Sequence, residues 1–187
     1  GGGLNFDTGD VSSDISADPG YETYLKTYLE QKLGTDLFGQ FQTLILQTRD
    51  WYLASTALTA TASTQRAFML GGASADSLTG GTQDDLLVGL GGADRLEGGS
   101  GSDTYVFGAN AGRDTLIDSD GQGRIRVAGR TDALSGSTEA CELDSLRRRL
   151  WRDADGIEYI QDGKDLIIGG GALGAGEIRL QDFDFRN

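Results

Sequence analysis

The stretches GGASADSLT, GGTQDDLLV, GLGGADRLE and GGSGSDTYV follow one another without a gap from Gly71 to Val106. Each nine-residue block has aspartate at its sixth position and a large apolar residue at its eighth. The aspartates are Asp76, Asp85, Asp94 and Asp103, and the apolar residues are Leu78, Leu87, Leu96 and Tyr105. A period of nine fits neither a helix nor a plain alternating strand, but it is typical of a coil that repeats a glycine-rich turn and a very short strand. We therefore expect a mainly β protein built on a short parallel β coil, here called the β-roll.

The residue types in these turns indicate a divalent cation. Ca²⁺ takes about six to eight oxygen ligands from carboxylates and carbonyls. Glycine accepts positive φ and lets backbone carbonyls turn inward, and the aspartate at the end of the turn adds a charged oxygen. Two blocks make one full turn of the coil, so Asp76 is predicted to stack on Asp94, and Asp85 on Asp103. An ion between each stacked pair of loops is the expected arrangement.

The composition supports a cation and excludes several other kinds of site. The chain has 187 residues and a net charge of -13, from 29 Asp plus Glu against 16 Lys plus Arg. This balance disfavours nucleic acid and anionic membranes as partners. With no His and one Cys, a His-based triad, a His-ligated zinc and a disulfide within the chain are excluded. The sequence has no long apolar run and no signal peptide, so no transmembrane segment is predicted.

Two helices are predicted before the repeats. The first is predicted to begin at Asp18-Pro19, with Asp as N-cap and Pro at the first helical position, and to end at Gly34. A second helix is expected to begin at Thr35 or Asp36, with an apolar face that continues to Tyr52. The helices are expected either to pack on each other or cap the repeats, or to belong to an upstream domain. Residues 54–66 are small and polar, which predicts a linker.

The C-terminal third is predicted to be antiparallel β structure that caps the coil. After Val106 the nine-residue spacing decays. Two strong hairpin signals, Asp155-Gly156 and Asp162-Gly163, join three short strands, and EIRLQDFDF is a last alternating strand. The predicted domains are a flexible lead (1–18), a helical segment (19–60), the β-roll (61–116) and a C-terminal capping region (117–187).

Weaker signals allow two interpretations each. The stretch from Asp118 to Asp120 is a candidate for the end of the cation ladder, whereas Asp153-Ala-Asp155-Gly is better explained as a hairpin turn. The basic cluster at 147–152 either binds a polyanion or pairs with nearby acids on a solvated face. No nucleophile elbow and no P-loop occur in the sequence.

The repeats resemble the RTX (repeats-in-toxin), hemolysin-type family of calcium-binding nonapeptide proteins, which Gram-negative bacteria export by type I secretion. The resemblance is strong over Gly71–Val106, loose over 107–187, and does not reach the first 60 residues. It implies a right-handed parallel β-roll that is disordered in the exporting cell and folds on meeting calcium outside. The implied partners are calcium, the type I secretion machinery and an upstream domain of the same chain. A secreted, extracellular monomer is expected.

The resemblance also implies the ligands, since each ion in that family lies between positions two, four and six of one loop and positions one, three and six of the loop two repeats later. The first implied site consists of Gly72, Ser74, Asp76, Gly89, Gly91 and Asp94. The second consists of Gly81, Gln83, Asp85, Gly98, Ser100 and Asp103. The third joins Leu90, Gly92 and Asp94 to the loop around Ala109 and Asp114. The fourth joins Gly99, Gly101 and Asp103 to Asp118 or Asp120.

Several positions depart from the family pattern. Ser74 and Gln83 replace glycine at position four, Leu90 replaces glycine at position two, and Asp114 falls late in its loop. We expect strained loops at these residues and between two and four bound ions. Only the aspartates would give side-chain oxygens, and the other residues would give carbonyls.

The expected function is a non-catalytic, calcium-dependent folding and secretion module of a larger toxin, hydrolase or adhesin. A ladder of three Leu and one Tyr stabilises too little to order a glycine-rich coil by itself, so calcium binding and folding should be one event. One alternative is the C-terminal part of a secreted lipase or protease that contributes to its activity. Another is a glycan- or receptor-binding module, which would need exposed aromatics such as Trp151 or Tyr159.

Overall fold

The computed structural model describes residues 19–47, 50–53, 59–62, 65–137 and 140–185. Within these residues the chain forms two helices, a parallel β coil of about four turns and a C-terminal antiparallel sheet. The mainly β fold with a parallel coil is therefore confirmed. The helices are α1, Pro19–Leu33, and α2, Thr35–Gln47.

The coil alternates between two sheets, here called A and B, and every neighbouring pair of its strands is parallel. The strands of sheet A are β1 (Asp50–Leu53), β3 (Ala67–Leu70), β5 (Leu86–Val88), β7 (Thr104–Phe107) and β9 (Arg124–Val127). The coil strands of sheet B are β2 (Thr59–Thr61), β4 (Ser77–Thr79), β6 (Arg95–Glu97) and β8 (Arg113–Ile117). The coil thus extends on both sides of the predicted range 61–116, and part of the predicted linker is strand β2.

The nine-residue spacing does not decay after Val106, as the sequence suggested, but is interrupted. Ser77 pairs with Arg95, as two blocks require, whereas Arg95 pairs with Thr115. Two extra residues have entered this turn, and Phe107 and Gly108 account for them. The spacing then resumes in ANAGRDTLI (109–117) and DSDGQGRIR (118–126), which add a fifth and a sixth block.

The interior of the coil is larger than the ladder predicted from the repeats. Position-eight residues of the repeats are fully buried, and they share one apolar cluster with Met69, Phe107 and Leu116. Cap residues such as Ile168 and Ile178 continue this cluster. Each buried side chain of this size contributes about 1.5–3 kcal/mol. Apolar burial therefore stabilises the coil more than the sequence alone indicated, and a bound metal has to contribute correspondingly less.

The two helices pack on the outer face of sheet A. Phe38 and Ile45 of α2 share a buried cluster with Phe68 and Leu86 of the sheet. Successive strand residues point to opposite faces, so Phe68 faces the helices and Met69 faces the interior. Packing of the helices on the repeats, the first of the two alternatives, is what the structure has.

The helix boundaries agree with the sequence at the turn between the helices and differ at the end of α2. α1 ends before Gly34, whose φ of 78° suits glycine. The extension of the second helical face to Tyr52 was wrong, because Tyr52 lies in β1, paired with Met69. Asp18 and Thr48 lie outside the described residues. No helix in the described ranges is long and apolar enough to cross a membrane.

The cap is an antiparallel sheet that continues sheet B. Its strands are β10 (Glu142–Leu143), β11 (Arg149–Arg152), β12 (Ile157–Asp162), β13 (Asp165–Gly170) and β14 (Glu177–Leu180), with a 3₁₀ turn at Gly171–Leu173. Both predicted hairpin turns are confirmed, with positive φ at Gly156 and Gly163. β14 also pairs in parallel with β8, so coil and cap share one nine-stranded sheet. The last strand ends at Leu180, before the predicted end of EIRLQDFDF.

Two of the four arginines of the basic cluster at 147–152 form ion pairs with acids. Arg148 forms ion pairs with Asp144 and Asp162. Arg152 does the same with Glu142 and Glu158. This supports a solvated, charge-paired face rather than a polyanion site.

Candidate metal centre

The aspartates of the repeats form a hydrogen-bonded ladder along each edge of the coil. The backbone N–H of Asp76 donates to Asp94 Oδ1 at 2.9 Å, and that of Asp85 donates to Asp103 Oδ1 at 2.9 Å. The predicted stacking of these two pairs is therefore present in the fold. Each carboxylate ties its own loop to the loop one turn earlier.

The second carboxylate oxygen divides the loops into two kinds. Gly72 N–H donates to Asp76 Oδ2 at 2.7 Å, and Gly81 N–H donates to Asp85 Oδ2 at 2.7 Å. Asp94 Oδ2 and Asp103 Oδ2 are buried and have no hydrogen-bond partner. Asp94 is 2% exposed and Asp103 is 0% exposed. A buried charged oxygen without a partner is costly, and coordination of a cation is a normal remedy.

The two kinds of loop also differ in backbone conformation. Positions two and four have positive φ in three loops, at Leu90 and Gly92, at Gly99 and Gly101, and at Asn110 and Gly112. Neither Ser74 nor Gln83 adopts a positive φ, because their Cβ atoms disfavour it. The strain expected at these two residues is avoided by a different loop shape. Leu90, with φ 70°, is the departure from glycine at which strain is present.

The glycine at position one of each block leaves room for the aspartate at position six. A Cβ on Gly89 would lie 2.2 Å from Asp94 Oδ2, and a Cβ on Gly98 would lie 2.1 Å from Asp103 Oδ2. Any side chain at these positions would displace the carboxylate. Sequence reasoning assigned these glycines only a carbonyl role and missed the steric one.

Burial disfavours the ionised form of the carboxyl groups in the ladder. Burial raises the pKa of Asp94 to about 7 and that of Asp103 to about 6. The pKa of Asp114 is raised to about 6 and that of Asp85 is raised as well, again mainly by burial. Neighbouring carboxylates of the ladder add to the shifts of Asp94 and Asp103. A cation beside these groups would favour their ionised form.

The structure brings the predicted loop pairs together, although in different ways. Across the first implied site Gly91 N–H donates to the Gly72 carbonyl at 3.0 Å, and across the second Ser100 N–H donates to the Gly81 carbonyl at 3.0 Å. These bonds use carbonyls that the resemblance assigns to an ion.

At the third implied site the structure brings loop 89–94 against the loop that holds Ala109 and Asp114. Asp94 N–H donates to Asp114 Oδ1 at 2.9 Å, and Gly92 N–H donates to the Ala111 carbonyl at 3.0 Å. Ala109, Ala111 and Asp114 occupy positions one, three and six of the fifth block. At the fourth implied site, Gly101 N–H donates to Asp120 Oδ2 at 3.0 Å.

Asn110 is a residue of this region that sequence reasoning missed. Its φ is 58°, its N–H donates to the Leu173 carbonyl at 2.9 Å, and its Oδ1 accepts from Ala175 N–H at 2.8 Å. The loop 109–114 is thereby attached to the cap. Asparagine tolerates the left-handed region better than most residues, which is the signal that could have identified it.

The donor set fits calcium. Among the described residues, no group of three or more His, Cys, Asp or Glu side chains is placed to hold a metal. Any ion would thus rely on pairs of carboxylates supplemented by carbonyls, which are the hard oxygen ligands that Ca²⁺ prefers. The loops offer no imidazole or thiolate for zinc or copper.

A parallel coil with stacked, glycine-rich, carboxylate-lined turns defines the chain as one that carries calcium-binding repeats. Residues 70–105 match the model of the RTX calcium-binding nonapeptide repeat in four copies, and this stretch is therefore made of RTX repeats. Proteins with these repeats are typically secreted by Gram-negative bacteria. Compared with curated proteins, the chain has no match. The matched residues end before the fifth and sixth blocks, which only the fold reveals.

Proposed function

We propose that this chain is a calcium-dependent folding module of a larger secreted protein. The observation that carries the proposal is the pair of buried, unpartnered carboxylate oxygens on Asp94 and Asp103, each in a loop stacked against other loops of the coil. These residues hold charged oxygens away from water, where a divalent cation would compensate them.

Cation binding to such loops is linked to folding. Ligands that are assembled only in the folded coil bind weakly to the unfolded chain, so binding energy becomes folding energy. A site filled at about ten times its dissociation constant adds about 1.4 kcal/mol. Extracellular calcium modules commonly bind at about 10⁻⁴–10⁻³ M, so such sites would be empty in the cytosol and filled outside.

The loops with positive φ at positions two and four are the best candidates for ligands. They are 89–94, 98–103 and 109–114. Asp94 lies between the first implied site and the third, and Asp103 between the second and the fourth. Two to four ions per chain are proposed.

The biological setting is proposed from the family. The chain would pass through a type I secretion system unfolded, fold as an extracellular monomer and stabilise an upstream toxin, hydrolase or adhesin domain. The β-roll would have no catalytic role of its own. A glycan-binding role has less support, because Tyr159 is buried and donates to Asp153, and Trp151 is half-buried against the core.

Circular dichroism during a calcium titration tests the proposal, with magnesium as the control ion. A cooperative gain of β signal at sub-millimolar to millimolar calcium is expected, with little response to magnesium. Calorimetry on the same samples should report two to four bound ions. An unchanged spectrum after exhaustive removal of calcium, together with no calorimetric binding, would contradict the proposal.

A further inference from the structure

The sixth block, 118–126, reverses the positions of glycine and aspartate found in the RTX repeats. Thr104 pairs with Arg124, so Gly123 lies opposite Asp103 at position six. Gly98 N–H donates to the Ile117 carbonyl at 3.4 Å, so Asp118 lies opposite Gly98 at position one. A repeat has glycine first and aspartate sixth, whereas this block has aspartate first and glycine sixth.

The reversed residues meet as they do in the repeats. A Cβ on Gly123 would lie 2.9 Å from Asp118 Oδ2 and 3.0 Å from its Cγ. The Asp118 carboxylate therefore fills the space that a side chain at position six would occupy. Gly123 N–H donates to Asp118 Oδ2 at 3.0 Å, as Gly72 N–H donates to Asp76 Oδ2.

Tyr105 gives a physical reason for the reversal. A Cβ on Gly123 would lie 2.7 Å from Tyr105 Cε2. Tyr105 is at position eight of its repeat, where the other three RTX repeats have leucine. The larger, rigid tyrosine ring extends into the space beside position six. A residue with a side chain at 123 would collide with the ring, so the carboxylate has to come from the other end of the loop.

Two carboxylate oxygens of this region lack hydrogen-bond partners. Asp118 Oδ1 is buried without a hydrogen-bond partner, and so is Asp103 Oδ2 on a fully buried residue. Asp120 differs, because it is exposed and its oxygens accept bonds from Gly101 N–H and Gln122 N–H. Asp120 fixes the loop, and Asp118 is the residue with an oxygen to spare.

We propose that the sixth block closes a calcium site against loop 98–103, with Asp118 supplying from position one the carboxylate that the repeats supply from position six. Asp103 supplies the second charged oxygen. The site lies partly outside the residues that match the RTX repeat. This inference rests on the proposed function, because it assigns one of the ions that the coil would hold.

The first test compares calcium stoichiometry of the full chain with that of Asp118→Asn, using calorimetry and circular dichroism at saturating calcium. Asparagine keeps an oxygen for Gly123 N–H, so the turn is preserved. We expect Asp118→Asn to bind one ion fewer, and the exposed Asp132→Asn, with the same change of charge, to match the wild type. Wild-type stoichiometry and affinity in Asp118→Asn would overturn the inference. Absence of binding by the wild type would instead overturn the proposed function.

The second test restores the order found in the repeats. Asp118→Gly should lose the ion, and the triple variant Tyr105→Leu, Asp118→Gly, Gly123→Asp should regain it, because leucine leaves room for an aspartate at position six. This rescue also covers the case in which Asp118→Asn loses structure as well as the ion. Failure of the triple variant to regain the ion would assign Asp118 to the folding of its loop and overturn its role as a ligand.

Discussion

The backbone N–H of Asp94 donates a 2.9 Å hydrogen bond to Asp114 Oδ1, although 20 residues separate the two where 18 separate Asp76 from Asp94. The extra residues, Phe107 and Gly108, lie outside the loops, so the ladder crosses the insertion intact. Asp94 is therefore the central member of its edge, bonded to the loop before it and to the loop after it.

Substitution of Asp94 should impair calcium-dependent folding more than substitution of Asp76. Asp94→Asn removes a charged oxygen from the first and third implied sites, whereas Asp76→Asn affects the first alone. We expect the calcium midpoint of Asp94→Asn to exceed that of Asp76→Asn by about threefold to tenfold, or roughly 0.7–1.4 kcal/mol. Circular dichroism during calcium titration measures both midpoints. Equal midpoints would show that Asp94 contributes to one ion only.

Without calcium, the stability of the coil should fall as the pH rises. The folded-state pKa values of Asp94, Asp103 and Asp114 lie above the ordinary value of 3.8, at about 7, 6 and 6. Between these values the folded chain holds more protons than the unfolded chain, so the free energy of unfolding decreases with pH and levels off above about pH 7. Urea unfolding in calcium-free buffer at about pH 5 and about pH 8 measures the difference.

Calcium should reverse this trend, since ions compete with protons for the same carboxylates. At saturating calcium the free energy of unfolding should be at least as high at about pH 8 as at about pH 5. A metal-free chain that becomes more stable with rising pH would contradict the burial of these aspartates.

Alanine at Gly98 should be far more damaging than alanine at Gly108. A Cβ at residue 98 would lie 2.1 Å from Asp103 Oδ2 and 2.2 Å from the Tyr105 hydroxyl oxygen, whereas residue 108 has nothing within 4 Å. We expect Gly98→Ala to lower the free energy of unfolding in calcium by about 1–3 kcal/mol, as overpacking commonly does. Gly108→Ala should be neutral or slightly stabilising. Comparable losses in urea unfolding would contradict this explanation of the position-one glycine.

Truncation of Phe38 should separate the helices from the coil. Phe38 is buried between α2 and sheet A, so Phe38→Ala should cost about 3–5 kcal/mol. Thr43→Ala, on the exposed side of α2, should change the stability by less than about 0.5 kcal/mol. Urea unfolding followed by circular dichroism measures both. A negligible effect of Phe38→Ala would show that the helices do not depend on the sheet.

The features that depend on the regular spacing of neighbouring residues could be predicted from the sequence. The period of the repeats was enough to place Asp76 over Asp94 and to predict a parallel coil, because equal spacing builds equal turns. The fifth and sixth blocks were not predicted, because the two-residue insertion shifts them out of the nine-residue spacing of the repeats. In the sixth block Asp118 and Gly123 match no repeat pattern, and only the register of β7 with β9 shows that they have exchanged places.

Other features depend on contacts between distant segments. Strand β1 has little strand pattern of its own and is extended because it pairs with β3. The pairing of β14 with β8 joins residues far apart in the chain, and neither segment has a sequence pattern that predicts it. Leu90 has the backbone strain that was predicted. Ser74 and Gln83 do not, because their loops adopt a different backbone conformation.

The strand that joins coil and cap also fixes where the coil can grow. β8 has β6 on one side and β14 on the other, so both of its hydrogen-bonding edges are occupied. A further turn could not be appended after β8 without expelling β14. Duplication of repeats in relatives of this chain should therefore enlarge the array upstream of the insertion at residues 107–108, with the last two blocks and the terminal sheet inherited as one fixed end piece.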